Sequence, residues 1–271
     1  MALPQAPTTD PREAYWLKRF TDAAQNAEAA AENAVNIYTR HGWLVRQNHI
    51  RRKVRSLLTA GAVPPGARTV DLGCGSGAYC RLLAELGLEV TGTDLCQASL
   101  DYAAAHSPPA IRYRQANGLD LPFPDGSFDL AISIGVMQHI TDTPRFLREF
   151  LRILRPGGTG IIMTLNRNTV LEVVRRRLPS LWRKHALLQE EVRLRRFSCN
   201  ELRRGVRAVA PAARVAFTPV FVFPRRLAVA ERLLAGLGPA GAAAFPLAID
   251  LMATVSLAGA GALGAGRCRP G

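Results

Sequence analysis

Lysine is almost missing from this chain. Lys18, Lys53 and Lys184 are the only three, so nearly all of its 35 basic residues are arginine. Acidic residues are scarce beside them, 21 in all, and the formal net charge is +14. A basic surplus suggests nucleic acid, an anionic membrane surface or an acidic substrate. The chain is also rich in alanine and glycine, and GC-rich coding produces that same bias together with arginine. The charge therefore selects no partner by itself.

Other absences exclude more. The five cysteines, Cys74, Cys80, Cys96, Cys199 and Cys268, form no CxxC pair and no Cys/His cluster at zinc-ligand spacing. No metal site is expected on that ground. An odd cysteine count fits a reducing compartment better than a disulfide framework. Residues 1–12 hold proline and threonine but no apolar run. Export is not expected, and the chain reads as cytoplasmic. The longest apolar stretch, 242–265, is interrupted by Pro246 and Asp250 and is full of small residues. It reads as a buried strand with a loop and not as a transmembrane span. No internal repeat of fixed period is present. With 271 residues and 48% hydrophobic content, the chain has enough to bury the core of one large α/β domain.

What is present falls into three stretches. Residues 1–66 read as a helical N-terminal segment. Within it Ile50, Val54, Leu57 and Leu58 make one apolar stripe at i, i+4, i+7 and i+8. Pro64-Pro65-Gly66 ends that segment. Residues 67–166 alternate strand and helix. Strands are expected over 69–72, 88–93, 111–115, 128–134 and 159–165, and helices over 78–86, 97–106 and 143–154. That alternation predicts a doubly wound, mostly parallel sheet. Residues 167–271 read as a helical, Arg-rich insertion to 209, then strands over 215–223 and 251–257 with a helix over 227–237 between them. These last strands would complete the same domain.

The strongest signal is Val70-Asp71-Leu72-Gly73-Cys74-Gly75-Ser76-Gly77. A strand ends, the chain turns sharply, and a helix begins. Glycines allow positive φ and let a ligand approach the backbone closely. Free N–H groups at the helix start favour a carboxylate or phosphate. Asp94 ends the next strand, where a carboxylate can accept hydrogen bonds from ribose hydroxyls. Together they point to a nucleoside-containing cofactor. A dinucleotide fingerprint would read G-x-G-x-x-G. Here the spacing is G-x-G-x-G, and Asp71 precedes it by two residues. An acid there opposes a pyrophosphate and suits a cofactor end that carries an ammonium.

These residues resemble the first motif of the class I S-adenosylmethionine-dependent methyltransferases. Four further segments resemble that family in order: Val90 to Leu95, Asn117 to Phe123, Asp125 to Ser133, and Leu151 to Gly158. The likeness covers roughly residues 68–166. It implies a Rossmann-like fold of seven strands, with N-terminal helices and a helical insertion before the sixth strand. It implies S-adenosyl-L-methionine as cofactor. Gly73 and Gly75 would line its methionine part, and Asp71 would help hold its ammonium. Asp94 would bind the ribose, with Leu95 against the adenine. Asn117, where many members have Asp, would accept the adenine amine through its amide oxygen, and the Gly118 N–H would reach a ring nitrogen. Ser133 and Ile134 would offer backbone groups near the methionine end.

Methyl transfer from a sulfonium is an in-line displacement, so the protein must align the nucleophile and exclude water. A hydroxyl nucleophile also needs a base. His139, just past the fourth strand, is the candidate, since an ordinary imidazole titrates near pH 6.5. Tyr15, Trp16, Tyr38, Trp43 and His49 could belong to a lid or to an aromatic core. The expected reaction is methyl transfer to oxygen or nitrogen of a small molecule. The alternative is an RNA, protein or membrane-associated lipid acceptor docked on the Arg-rich insertion. Against nucleic acid, there is no Asn/Asp-Pro-Pro-aromatic tetrad after the fourth strand, and no aromatics interleave with the basic run. Leu178, Leu181 and Trp182 among Arg175 to Arg183 suit peripheral contact with an anionic membrane surface.

Overall fold

The computed structural model describes residues 40–169, 194–220 and 250–259, together with Ala14, Tyr15, Lys18 and Thr21. Helix α1 (Arg40–Thr59) precedes β1 (Arg68–Leu72). Then come α2 (Ala78–Glu85), β2 (Glu89–Asp94), α3 (Gln97–Ala105), β3 (Arg112–Gln115) and β4 (Phe128–Ile134). A short three-ten turn (Met137–His139) leads to α4 (Thr143–Arg152) and β5 (Leu154–Leu165). Helix α5 (Cys199–Val209), β6 (Arg214–Val220) and β7 (Asp250–Ser256) follow.

The seven strands form one sheet in the order β3-β2-β1-β4-β5-β7-β6. The first five pair in parallel, and β7 runs antiparallel to both β5 and β6. From β1 the chain winds to β2 and β3 on one side, then returns to β4 and β5 on the other. The crevice beyond the carboxyl ends of β1 and β4 is therefore the switch point where such sheets take ligands.

The central strands read as unbroken apolar runs because both faces are covered. On one face Ile50 and Val54 of α1, Leu82 and Leu83 of α2 and Leu100 of α3 pack against Leu130, Ile132, Ile161 and Met163. The expected stripe on α1 is thus its buried face. On the other face Phe146 and Phe150 of α4, with Leu202 and Val206 of α5, pack against Val70, Leu72, Ala131 and Ile162. Phe146 and Phe150 are fully buried, and truncating either to alanine would cost about 3–5 kcal/mol. Both helices start on side-chain caps. Asp142 accepts the Arg145 N–H at 3.0 Å, and Ser198 forms a reciprocal capping box with Glu201.

Two sequence expectations change. Of the insertion's described residues, 167–169 and 194–198 are not helical: Phe197 pairs with Asn166 in an isolated parallel bridge, and helix α5 begins at Cys199. The fifth strand starts at Leu154, earlier than expected: Leu154 already pairs with Phe128, and after an irregularity that includes Gly157 at φ 77° the ladder resumes at Thr159 opposite Leu130. The strand expected over 251–257 is β7, buried along nearly its whole length as the apolar stretch implied. The helix expected over 227–237 and residues 175–183 lie outside the described residues.

Candidate active site

The loop after β1 is built for a close approach. Gly73 has φ 75° and Gly75 has φ 50°, a region that side chains other than glycine rarely adopt. A Cβ on Gly73 would collide with the side chain of Val136 from the β4 loop. A Cβ on Gly75 would meet nothing within 4 Å, so that side of the loop faces open space. Helix α2, which begins at Ala78, has no side-chain cap. The positive end of such a helix favours an anionic group.

Asp94 stands across this opening at the end of β2. Its Oδ2 accepts the Gly75 N–H at 2.8 Å, and its Oδ1 accepts the Cys96 N–H at 2.9 Å. The carboxylate thus pins the glycine loop to β2 and keeps acceptor capacity for a hydroxyl. Burial raises its pKa, and the Cys96, Gly75 and Leu95 amides pull it back. Leu95 follows, partly buried, with its carbonyl accepting Gln115 Nε2 at 3.0 Å. From the N-terminal segment, Thr21 Oγ1 lies 3.4 Å from Cys96 Sγ, two residues past Asp94.

Asp71 lies below the loop, 1% exposed. Its Oδ2 accepts the Cys80 thiol at 3.5 Å. Burial raises its carboxyl to about pH 7, partly offset by that thiol and reinforced by the nearby Asp94 charge. A cationic ammonium brought near it would favour the carboxylate. Cys80 was not singled out from sequence. Its position three residues into a helix that follows an acid-bearing loop was the available signal.

Asn117 has a local task. Its Oδ1 accepts the Leu119 N–H at 2.9 Å, and its carbonyl accepts the Asp120 N–H at 3.0 Å. The amide oxygen expected to meet adenine thus also closes the turn that presents Gly118 over Phe146. Ser133 is fully buried, with no hydrogen-bond partner for its Oγ. Ile134 is partly exposed at the strand end, and Gly135 donates to the Met163 carbonyl at 2.9 Å.

His139 sits in the three-ten turn on the β4–β5 side of the crevice. Burial lowers its imidazole from the usual 6.5 to about 4. It is uncharged at neutral pH and a weaker base than its residue type suggested. Its turn is braced from outside. The Arg195 N–H donates to the Gln138 carbonyl at 3.1 Å, and Arg195 Nη1 donates to Thr141 O at 2.9 Å and Thr143 Oγ1 at 2.7 Å. Of the N-terminal aromatic and histidine candidates, His49 is buried, Trp43 is partly buried and Tyr15 is exposed. Trp16 and Tyr38 lie outside the described residues. Among the described residues, no cluster of three or more metal-ligating side chains occurs.

Sequence also left Arg46 and Asp250 unassigned. Arg46 Nε donates to Asp250 Oδ2 at 2.6 Å, and both side chains are buried. The signal for this pair was a single acid inside an apolar strand. Such a charge must find a partner. No helix among the described residues is long and apolar enough to cross a membrane.

The methyltransferase domain family matches residues 70–162, the span from β1 into β5. A ubiquinone biosynthesis O-methyltransferase of Bradyrhizobium diazoefficiens is 36% identical over 120 residues, covering 43% of this chain and 46% of that protein. A 2-methyl-6-phytyl-1,4-hydroquinone methyltransferase of Synechocystis is 36% identical over 107 residues, covering 38% and 34%. A malonyl-acyl-carrier-protein O-methyltransferase of Serratia marcescens is 35% identical over 117 residues, covering 43% and 46%. The matched part spans less than half the length of each of these relatives. Among solved structures, the chain superposes on an S-adenosylmethionine-dependent methyltransferase of Mesorhizobium loti with a TM-score of 0.54 at 22% identity, covering 73% of this chain and 94% of that one. It also superposes on a 4+2 cyclase, SpnF, with a TM-score of 0.60 at 19% identity, covering 95% and 99%. These two likenesses carry the fold alone. Residues 70–162, which hold the loop and the strand ends described above, match the methyltransferase domain family, and over that span the chain is similar to methyltransferases.

Proposed function

We propose that this protein transfers a methyl group from S-adenosyl-L-methionine to an oxygen or nitrogen nucleophile of a small molecule. The observation that carries the reading is the open side of the Gly73–Gly75 loop, held by the Asp94 carboxylate at the switch point of the sheet. When bound, the cofactor supplies an electrophilic methyl on a sulfonium. Asp94 takes ribose hydroxyls. Gly73, Gly75 and the uncapped start of α2 bind the methionine end, with Asp71 as the nearby source of negative charge. Leu95 packs on the adenine, Asn117 and Gly118 meet its edge, and Ser133 and Ile134 offer backbone groups beside the methionine.

His139 accepts the proton of a hydroxyl acceptor. A pKa near 4 suffices for this role, because oxygen becomes a strongly acidic oxonium as the methyl arrives. The base needs only to exceed that acidity. An amine needs no such help before transfer. The relatives' names span ubiquinone biosynthesis, a hydroquinone and malonyl-acyl-carrier protein. That spread supports a shared donor site with a variable acceptor side. A screen with methyl-labelled donor against phenols, hydroquinones, carboxylates, amines and bulk RNA tests the proposal. Label in a small-molecule product is expected. Label in RNA alone would overturn the acceptor class.

A further inference from the structure

We propose that Asp250 is a positioning residue for this reaction. It anchors helix α1 and the 195–197 segment at the acceptor edge, and through them fixes the His139 turn. The inference rests on the methyl-transfer reading above. Asp250 opens β7, and because β7 runs antiparallel its first residue lies at the carboxyl edge of the parallel strands. It stands opposite Leu165, the last residue of β5, and Val220, the last of β6. Three distant parts of the chain meet there. Arg46 of α1 donates to Asp250 Oδ2 from 204 residues away, and its Nη1 donates to the Gly42 carbonyl at 3.0 Å. The side chains of Arg46 and Asp250 are 5% and 2% exposed. Arg196 adds favourable charge at the same carboxylate.

Arg196 belongs to a segment stitched on two sides. Phe197 N–H donates to the Leu165 carbonyl at 2.9 Å, and Arg167 N–H donates to the Phe197 carbonyl at 3.0 Å. Next to it, Arg195 holds Gln138, Thr141 and Thr143 around His139. A chain of contacts therefore runs from α1 through Arg46 and Asp250, across the Asp250–Leu165 pair of the sheet to Phe197, and on through Arg195 to the His139 turn. A buried ion pair is poor evidence of stability, because well-packed apolar residues do as well or better. Its specific contribution is geometric. It admits one placement of α1 and of the 195–197 segment, where an apolar contact would tolerate several. The donor site is remote from it. Asp94 and Asp250 are separated by β1, β4 and β5 in the sheet, four strand spacings or about 19 Å.

Hydrogen–deuterium exchange with S-adenosylhomocysteine titration tests this. In Asp250→Asn, exchange in peptides covering residues 40–48 and 137–143 should rise about tenfold or more. The 70–77 loop should keep its protection, and S-adenosylhomocysteine should bind within about twofold of wild type. Asp250→Glu should recover part of the protection. The decisive variant is the double Arg46→Met/Asp250→Leu, expected to melt at or above the wild-type temperature yet keep the raised exchange. It also serves if Asp250→Asn fails to fold. Restored protection in the double variant, or unchanged exchange at 137–143 in Asp250→Asn, would overturn the proposal. Loss of product binding by the wild type would instead strike the methyl-transfer reading and leave the exchange result to decide the anchor.

Discussion

The two sides of the crevice are built by different means. On the β1–β2 side, the residues around the glycine loop of the proposed donor site lie within one motif or the next strand end: Gly73, Gly75, Asp71 and Cys80, then Asp94 and Leu95. Their hydrogen bonds are short in sequence, 9 residues for Cys80 to Asp71 and 19 for Gly75 to Asp94. On the β4–β5–β7 side, the His139 turn is held by Arg195, more than fifty residues away, and α1 by Asp250, 204 residues away. The proposed donor side uses glycines and acids, whereas the proposed acceptor side uses arginines and one uncharged histidine. The donor site can stay constant because it is locally encoded. The proposed acceptor side is braced by chain segments outside the matched span 70–162, through Arg195, Arg46 and Asp250.

The largest effect should fall on the donor side. Asp94→Ala removes a charged acceptor for the ribose and the tether of the Gly75 N–H. Charge-assisted hydrogen bonds of this kind are worth about 1.5–3 kcal/mol each, so binding of S-adenosylhomocysteine should weaken roughly 100-fold or more by calorimetry. Gly73→Ala should come close to it, since the new methyl meets Val136 at a positive φ. Next, His139→Gln should lower turnover on a hydroxyl acceptor about 100-fold while leaving product affinity unchanged. An equal loss of both would merge the two sides into one unit and break the comparison.

Stability against pH gives a smaller, signed effect. Asp71 is raised in the fold, so its contribution to stability is fully present below the unfolded value near 4. It is lost as pH rises through about 7. Asp71→Asn should therefore gain melting temperature relative to wild type between pH 5 and pH 8. His139 is lowered, so the wild type should lose stability as pH falls from about 6.5 toward 4, and His139→Gln should relieve that loss. Thermal melts of the three proteins from pH 4.5 to 8 check both signs. The smallest effect belongs to the exposed arginines of α5. Arg204→Gln with Arg207→Gln should leave turnover and product binding within about twofold, as is usual for solvated surface charges.

The loop and strands that carry the proposed donor side were largely legible in the sequence. The strand over 128–134 matches β4 residue for residue, and the loop residues fall where the glycine spacing put them. Local motifs carry that information because their geometry is set within a few residues. Three things were not legible. The placement of β7 between β5 and β6 follows from sheet pairing, which strand–helix alternation does not encode. The bracing role of Arg195 depends on a bridge between Asn166 and Phe197, inside a stretch whose pattern read as helix. The His139 imidazole was expected near its ordinary range, but burial, a property of the folded chain, lowers it. The opening surplus of arginine divides in the same way. Arg46 and Arg195 serve the fold at the acceptor edge, while Arg204 and Arg207 stand exposed on α5.

The most direct measurement is the dissociation constant of S-adenosylhomocysteine for wild type, Asp94→Ala and His139→Gln, measured side by side. A donor site centred on the glycine loop and Asp94 requires loss of binding in Asp94→Ala and wild-type affinity in His139→Gln. Equal weakening in both variants, or full affinity in Asp94→Ala, would contradict it.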